Sequence, residues 1–471
     1  MVIQGGANLR IEDGIAPEIF RAYDIRGIVD ETLTVSAVTA IGRALGSVVL
    51  ARAENSIVVG RDGRLSGEVL RQALCAGILS TGCHVVDIGM VPTPVLYFAT
   101  QYLKIPSGIM ITGSHNPPDY NGLKMMVGNQ ALYGDGILSL EKHIKTGIFE
   151  HGTGRYQATD MLKPYVDAIS EDVTLSKKLK IVMDCGNGVA GVVAPVLYEA
   201  LGCEVIPLFC DVDGTFPNHH PDPGQPDNLK NLIAAVKINK ADMGIAFDGD
   251  GDRLGVVDNQ GNIIWPDRLL ILLAKDILET HPKALIIFDV KCTQQVALSV
   301  KAMNGEPLMW KTGHSLIKAK IAETGALLAG EMSGHLFFND RWFGFDDGLY
   351  AGIRLLEIVS RLAPTQTVQQ LFSTIPDSVN TPELVLPVSE AEKFSIIERL
   401  LTIAHFKEAS ISTIDGLRVD FKDGFGLVRP SNTGPNLILR FEGDTLQALT
   451  RIQAEFRVLL HTLNPQWSLP F

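Results

Sequence analysis

Ile181-Val182-Met183-Asp184, a helix-like stretch, and then Gly202-Cys203-Glu204-Val205-Ile206 form the run that decides the fold. An apolar strand ending on an acid, one crossover helix, and a glycine before a second apolar strand make a βαβ unit. The pattern occurs twice more. Upstream it reads Ile57-Val58-Val59-Gly60-Arg61-Asp62 and, past a helix, Gly82-Cys83-His84-Val85-Val86. Downstream it reads Ile286-Ile287-Phe288-Asp289 and then Gly305-Glu306-Pro307-Leu308-Met309. The separations from acid to glycine are 20, 18 and 16 residues, enough for one helix each. Three α/β units in tandem are expected. Chance echoes within one large α/β protein are the alternative that sequence leaves open.

Past about residue 374 the repeat stops. Ile396–Leu401 is helix-like, Leu437–Glu442 is strand-like, and a last helical stretch runs from Leu446 to Leu460. The expected fold class is therefore α/β: three tandem mixed α/β domains of related topology, then a C-terminal α+β domain, arranged around a central cleft. The expected boundaries are 1–160, 161–262, 263–373 and 374–471. Linkers are nowhere Gly/Ser-rich, so the domains are expected to pack together and shape a shared cleft.

With 41 Lys+Arg against 53 Asp+Glu, the formal net charge is −12. That acidic balance speaks against nucleic acid or an anionic membrane as a partner. Any phosphate-bearing ligand would need its basic groups gathered locally in the cleft. The six cysteines show no close metal or redox spacing and read as free thiols in a reducing compartment. Met1–Arg10 has no signal-peptide pattern, and no apolar run is long enough to span a bilayer. A cytoplasmic location is the expectation.

Four loops carry candidate chemistry. Thr112-Gly113-Ser114-His115-Asn116-Pro117-Pro118, followed by Asn121-Gly122-Leu123-Lys124, places a serine on an irregular segment expected to be exposed. A serine needs activation to be a nucleophile, and Lys124 fits proton transfer if burial or nearby cations lower its pKa. Taken alone, Ser114 and His115 would more often be turn caps. Phe247-Asp248-Gly249-Asp250-Gly251-Asp252-Arg253 places three carboxylates at alternate positions after the strand-like Met243–Phe247. The intervening glycines let them converge on one hard cation. An EF-hand fails here, because Arg253 and Asn259 stand where it needs glycine and glutamate. A solvated acidic turn is the plain alternative.

Gly330-Glu331-Met332-Ser333-Gly334-His335 offers groups that hydrogen-bond vicinal sugar hydroxyls, a weak signal by itself. Arg429-Pro430-Ser431-Asn432-Thr433-Gly434-Pro435 offers an anion nest with a guanidinium, or an ordinary turn. A nucleophilic hydroxyl with a hard-cation site points to phosphoryl chemistry. Gly186-Asn187-Gly188-Val189-Ala190-Gly191, with Asp211 later, fits a dinucleotide fingerprint instead, but leaves the other four loops unexplained.

Together and in this order the loops resemble those of the α-D-phosphohexomutases. Within that superfamily they look most like the bacterial phosphomannomutase/phosphoglucomutase group, and the likeness extends back to Phe20–Gly27. It implies the phosphoserine loop in the first domain, the metal loop in the second, the sugar-recognition loop in the third and a phosphate-binding loop in the fourth. It further implies transfer of phosphate between the 1- and 6-positions of hexose phosphates, mannose and glucose. Ser114 carries the phosphoryl group, and a hexose 1,6-bisphosphate reorients in the site. Mg²⁺ is implied at Asp248, Asp250, Asp252 and the Ser114 phosphate, with Mn²⁺ chemically equivalent.

By the same resemblance Tyr23, Arg26, His115, Asn116, Lys124, Arg253, Lys291 and His314 line the reaction centre. Glu331, Ser333 and His335 read hydroxyls; Arg429, Ser431, Asn432 and Thr433 hold the non-reacting phosphate. Lys124, Arg26 and His335 are the proton-transfer candidates. Pro430 and Gly434 lie at variable positions of the family loop. The partners implied are small-molecule hexose phosphates only, acting on a monomer whose last domain moves as a hinge. A phosphatase sharing the same serine and metal, or a binding protein derived from a mutase, are the rivals. The first needs no second phosphate site, and the second should have lost Ser114 or an aspartate.

Overall fold

The computed structural model describes residues 15–432 and 434–471. Each tandem unit is built on the same four strands. In the first, β1 (Ser56–Arg61) pairs in parallel with β2 (His84–Met90) and β3 (Gly108–Ile111), and β3 turns back into antiparallel β4 (Tyr120–Val127). In the second, β5 (Lys180–Asp184) lies between β6 (Glu204–Leu208) and β7 (Met243–Phe247), and β7 returns as β8 (Leu254–Asp258). In the third, β9 (Leu285–Asp289) lies between β10 (Glu306–Trp310) and β11 (Leu328–Gly330), and β11 returns as β12 (Leu336–Phe338). The tandem repeat expected from sequence is thus a repeat of topology, order 2-1-3-4 with the fourth strand reversed. Helices cross between the parallel strands, as that connection requires.

The first strand of each unit is buried on both faces, which is why it reads as a continuous apolar run. One apolar core runs through all three units, joining Val58 and Phe98 to Ile181 and Leu197 and on to Leu270 and Leu355. Aromatic rings close the joint: Trp342 stacks on Phe98 (5.7 Å) and on Tyr350 (4.5 Å). Beneath them Asp347 caps the helix Gly348–Ser360 by accepting Tyr350 N–H at 2.9 Å. It also accepts from Tyr165 Oη (2.9 Å) on the second unit's first helix and from Trp342 Nε1 (3.1 Å). No helix among the described residues is long and apolar enough to cross a membrane.

The last unit is a separate α+β layer. β13 (Leu417–Phe421), β14 (Gly424–Pro430) and β15 (Asn436–Gly443) form an antiparallel meander, with Lys393–Ile403 and Leu446–Leu463 packed on one face. It meets the third unit through Arg418, which lies over the Phe425 ring at 3.9 Å and donates to the carbonyls of Val290 (2.6 Å) and Cys292 (2.8 Å). Glu442 adds a contact from Thr293 Oγ1 at 2.8 Å.

Asp347→Ala removes a helix cap and strands two buried donors, so we expect a loss of about 3 kcal/mol in unfolding free energy. Urea unfolding followed by tryptophan fluorescence tests this, and an unchanged midpoint would count against Asp347 as the joint.

Candidate active site

The turn from third to fourth strand has one address in all three units, and each copy carries one of the expected loops. β3–β4 holds Ser114, β7–β8 holds Asp248, Asp250 and Asp252, and β11–β12 holds Glu331, Ser333 and His335. The acid ending each first strand serves its own unit's turn in two of the three: Asp62 accepts Gly113 N–H and Asp289 accepts Met332 N–H, each at 3.2 Å.

Ser114 is buried (2% exposed), which corrects the expectation of an exposed serine. The second unit's loop folds over it, so the segment is irregular but covered. Ser114 adopts φ +48°, a left-handed conformation costing roughly 1 kcal/mol, and its N–H is tied to Thr112 Oγ1 at 2.8 Å. Its Oγ donates to Asp248 Oδ2 at 3.1 Å and lies 3.2 Å from His115 Nδ1. A Cβ on Gly249 would fall 2.3 Å from the Ser114 carbonyl oxygen, so only glycine allows the two loops this approach.

Asp248, Asp250 and Asp252 are fully buried, with ligand oxygens within 4.8 Å of one another. Asp250 Oδ1 and Asp252 Oδ1 have no hydrogen-bond donor. Converging, undonated, buried carboxylate oxygens fit a hard divalent cation. Burial and the neighbouring acids push the Asp248 carboxyl well up. Burial also works against an ionised Asp250, but Lys124 holds it below the usual carboxylate range.

Lys124 Nζ reaches across from β4 to Asp250 Oδ2 (2.6 Å) and to Asp252 Oδ2. Burial lowers the Lys124 pKa, and the two carboxylates more than reverse it, leaving the ammonium well above its ordinary range. The lowering that sequence set as the condition for proton transfer by Lys124 is therefore absent, because the neighbours are anions rather than cations.

His335 Nε2 accepts from Arg253 Nε at 3.1 Å, which puts the ring proton on Nδ1. Nδ1 then faces Asp346 Oδ2 (3.2 Å) and Asp252 Oδ1 (3.5 Å). Asp346 also lies 3.3 Å from His314 Nδ1 and pairs with Lys318 at 2.8 Å, and the two imidazoles stack at 5.4 Å. Burial and Lys318 bring the His314 pKa down to about 4. Burial and the Arg253 guanidinium keep His115 neutral as well. Sequence reasoning missed Asp346. Its signal was the pair Asp346-Asp347 before a helix, of which only the second is the cap.

Glu331 accepts Gly313 N–H and, fully buried, has its carboxyl pushed up to about 7. Ser333 is partly exposed beside it. At the cleft's other end Arg429 pairs with Asp415 (3.0 Å), which also accepts Thr312 N–H (3.0 Å), and Tyr23 Oη donates to the Thr312 carbonyl (3.0 Å). Lys291 pairs with Glu383 at 2.5 Å. Arg26 joins Asp24 to the Asn116 side chain. Ser431 is buried and Asn432 partly so; Thr433 lies outside the described residues. Asp415 and Glu383 were not anticipated, since nothing local in sequence ties them to the cleft.

The dinucleotide-like Gly186–Gly191 does packing work instead. A Cβ on Gly188 would fall 2.9 Å from the Gly249 carbonyl, and one on Gly191 only 1.9 Å from that of Cys210. The strand ends at Leu208, so Asp211 lies beyond it in the following turn. All six cysteines are free, although Cys185 and Cys210 bring their sulfurs to 3.5 Å.

Four family models match in order: phosphoglucomutase/phosphomannomutase alpha/beta/alpha domains I (residues 17–151), II (163–261) and III (265–378), and the C-terminal domain (383–459). A phosphomannomutase/phosphoglucomutase of Pseudomonas aeruginosa is 55% identical over 453 residues, 96% of this chain and 97% of that one. A phosphoglucomutase of Neisseria meningitidis is 50% identical over 460 residues, covering 97% and 99%. The crystal structure of a phosphoglucomutase/phosphomannomutase family protein from Burkholderia thailandensis superposes with a TM-score of 0.93 at 52% identity, covering 97% of this chain and 100% of that one.

The Glu331 carboxyl gives a pH prediction. Its folded pKa of about 7 lies above the ordinary 4.5, so the folded chain binds a proton that the unfolded chain releases between those values. Stability from this group is present below the unfolded pKa and is lost as pH rises through the folded one. Glu331→Gln keeps an acceptor for Gly313 N–H without that loss. We expect its advantage over wild type to grow between acid and pH 8, by about 3 kcal/mol. A pH-independent difference in thermal midpoint would refute this.

Proposed function

Since the chain belongs to the phosphoglucomutase/phosphomannomutase family, isomerases of hexose phosphates, we propose that it moves phosphate reversibly between the 1- and 6-positions of glucose and mannose. Ser114 carries the phosphoryl group, and the sugar passes through a 1,6-bisphosphate that turns over within the cleft. The observation that carries this reading is the Ser114 hydroxyl on Asp248 Oδ2, within a buried trio of carboxylates.

Mg²⁺ is the proposed ion for Asp248, Asp250, Asp252 and the phosphate on Ser114; when bound it neutralises charge on the transferring oxygens. In the first half-reaction the Ser114 Oγ–P bond breaks and a bond from phosphorus to the sugar hydroxyl oxygen forms. The hydroxyl proton must leave and Oγ must gain one. Lys124 starts protonated and so serves as acid, while His335, aligned by Arg253 and Asp346, and Arg26 are the remaining proton-transfer groups. The second half-reaction reverses these roles for the phosphate originally at position 1. His115 and His314, both neutral, are hydrogen-bonding groups in this scheme.

Glu331 and Ser333 read the hydroxyls. Arg429, Ser431, Asn432 and Thr433 hold whichever phosphate is not reacting, with Tyr23, Asn116, Lys291 and Arg253 lining the space between. A monomer is the proposed active unit. The last domain is proposed to move as a hinge about a small joint, the Arg418 and Glu442 hydrogen bonds and the Val290, Phe425 and Leu427 cluster.

A ³¹P NMR time course with Mg²⁺, a trace of glucose 1,6-bisphosphate, and glucose 1-phosphate or mannose 1-phosphate tests the reading. We expect the 1-phosphate signal to give way to 6-phosphate without free phosphate, and Ser114→Ala to abolish the exchange. Release of inorganic phosphate would make the protein a phosphatase instead. For the hinge, solution scattering should report a smaller radius of gyration with bisphosphate than without; superimposable curves would rule out closure.

A further inference from the structure

Arg64 is one of the largest fully buried side chains, yet it lies on no element that touches substrate in the scheme above. Its guanidinium is spent on the nucleophile loop. Nη1 donates to the carbonyls of Pro117 (2.5 Å) and Tyr120 (2.8 Å), and Nη2 to those of Ser114 (2.8 Å) and Asn116 (2.6 Å). Nε stands 3.3 Å from Asp62 Oδ2, the oxygen that also accepts Gly113 N–H, while Asp62 Oδ1 accepts the backbone N–H of Arg64 itself (2.9 Å). The 62–64 turn therefore grips the loop at its entry through Asp62 and along its length through Arg64.

The seat is shaped for a planar fork. A Cβ on Gly113 would lie 2.5 Å from the guanidinium carbon, so glycine there leaves the group its place. The Phe216 ring of the second unit covers it at 5.2 Å. The outer half of the loop, Pro117–Asp119, is exposed. Backbone bonds hold its far end, where Val29 N–H meets the Asp119 carbonyl (2.9 Å) and Tyr120 N–H that of Pro117 (3.1 Å), whereas the Ser114 and Asn116 carbonyls nearer the nucleophile are held by the Arg64 guanidinium. The Ser114 carbonyl is held between Arg64 Nη2 and the backbone of Gly249 in the metal loop.

We infer that Arg64 is the positioning residue of the phosphate-carrying serine: by holding four carbonyls between Ser114 and Tyr120 it sets where Ser114 Oγ stands against the carboxylate trio. This rests on the mutase reading above. A fork with two nitrogens bonding two carbonyls each has no equivalent in lysine, whose ammonium is a single point with three donors. Loss of the fork should displace the nucleophile while leaving the distant phosphate end of the cleft intact. Displacements of about 1 Å at a reacting group cost on the order of 10²-fold in rate.

The test compares wild type, Arg64→Lys and Arg64→Met in the same ³¹P assay, with thermal midpoints and with phosphoserine content by intact-mass spectrometry after incubation with glucose 1,6-bisphosphate. We expect both variants to lose about 10²-fold in kcat with KM within about threefold, and to carry less phosphate at Ser114. A merely structural role would lower the midpoint without dividing kcat from KM in the folded fraction. Full activity in Arg64→Met, full rescue by Arg64→Lys, an equal change in kcat and KM, or failure of both variants to fold would each overturn the assignment. If wild type itself exchanges no phosphate while releasing none, the mutase reading fails first, and that outcome is read from the wild-type tube alone.

Discussion

Three carboxylates buried in one loop repel each other strongly wherever water cannot screen them, and they are tolerable only beside positive charge. Lys124, reaching over from another domain, supplies that charge and thereby fixes how the first two units meet. Ser114 lands on Asp248 because both loops answer to this requirement. The glycine at 249 thins the backbone until the two turns touch, and that at 251 takes a positive φ that lets the acidic loop bend. Arg253 then extends the network to His335, and Asp346 draws in His314 and Lys318. Much of the site's geometry follows from neutralising one acidic turn.

The same address in three sheets has been given three chemistries. A turn leaving the carboxyl end of the third parallel strand points into the space between units, where α/β folds commonly bind ligands. Placed side by side, the three turns bring together the Ser114 hydroxyl, three carboxylates that could hold a cation, and Glu331, Ser333 and His335. The first-strand acids show how closely the local solutions agree: Asp62 and Asp289 each hold the second residue of their own turn by its N–H. Asp184 instead faces His219 at 3.0 Å, because the Gly249 N–H goes to the carbonyl of Pro221.

What was legible in the sequence was whatever is encoded within a few residues. The strand–acid–helix–glycine rhythm gave three units, and the alternate aspartates and glycines gave the candidate cation loop. Groups defined by a partner far along the chain were not legible. Asp346 matters because it meets residues 314, 318 and 335, Asp415 because it meets Thr312 and Arg429, and Arg64 because it meets residues 114 to 120. The raised Lys124 pKa was not legible for the same reason. A lysine's local sequence says nothing of the two anions, more than a hundred residues away, that surround its nitrogen. Nor did sequence reveal that the loops of Ser114, Asp248 and Glu331 are topological equivalents, since a glycine second in two of them (113 and 249) and a serine third in two (114 and 333) are too little to betray it.

The three tandem units share one apolar core, whereas the last has its own and is joined to them by side chains donating to carbonyls and carboxylates and by a small apolar cluster of Val290, Phe425 and Leu427. Cooperativity follows the core. Under denaturant or mechanical load the C-terminal layer should therefore detach as a unit while the rest stays folded. What remains would still hold its carboxylate trio and serine but lack the wall that carries Arg429.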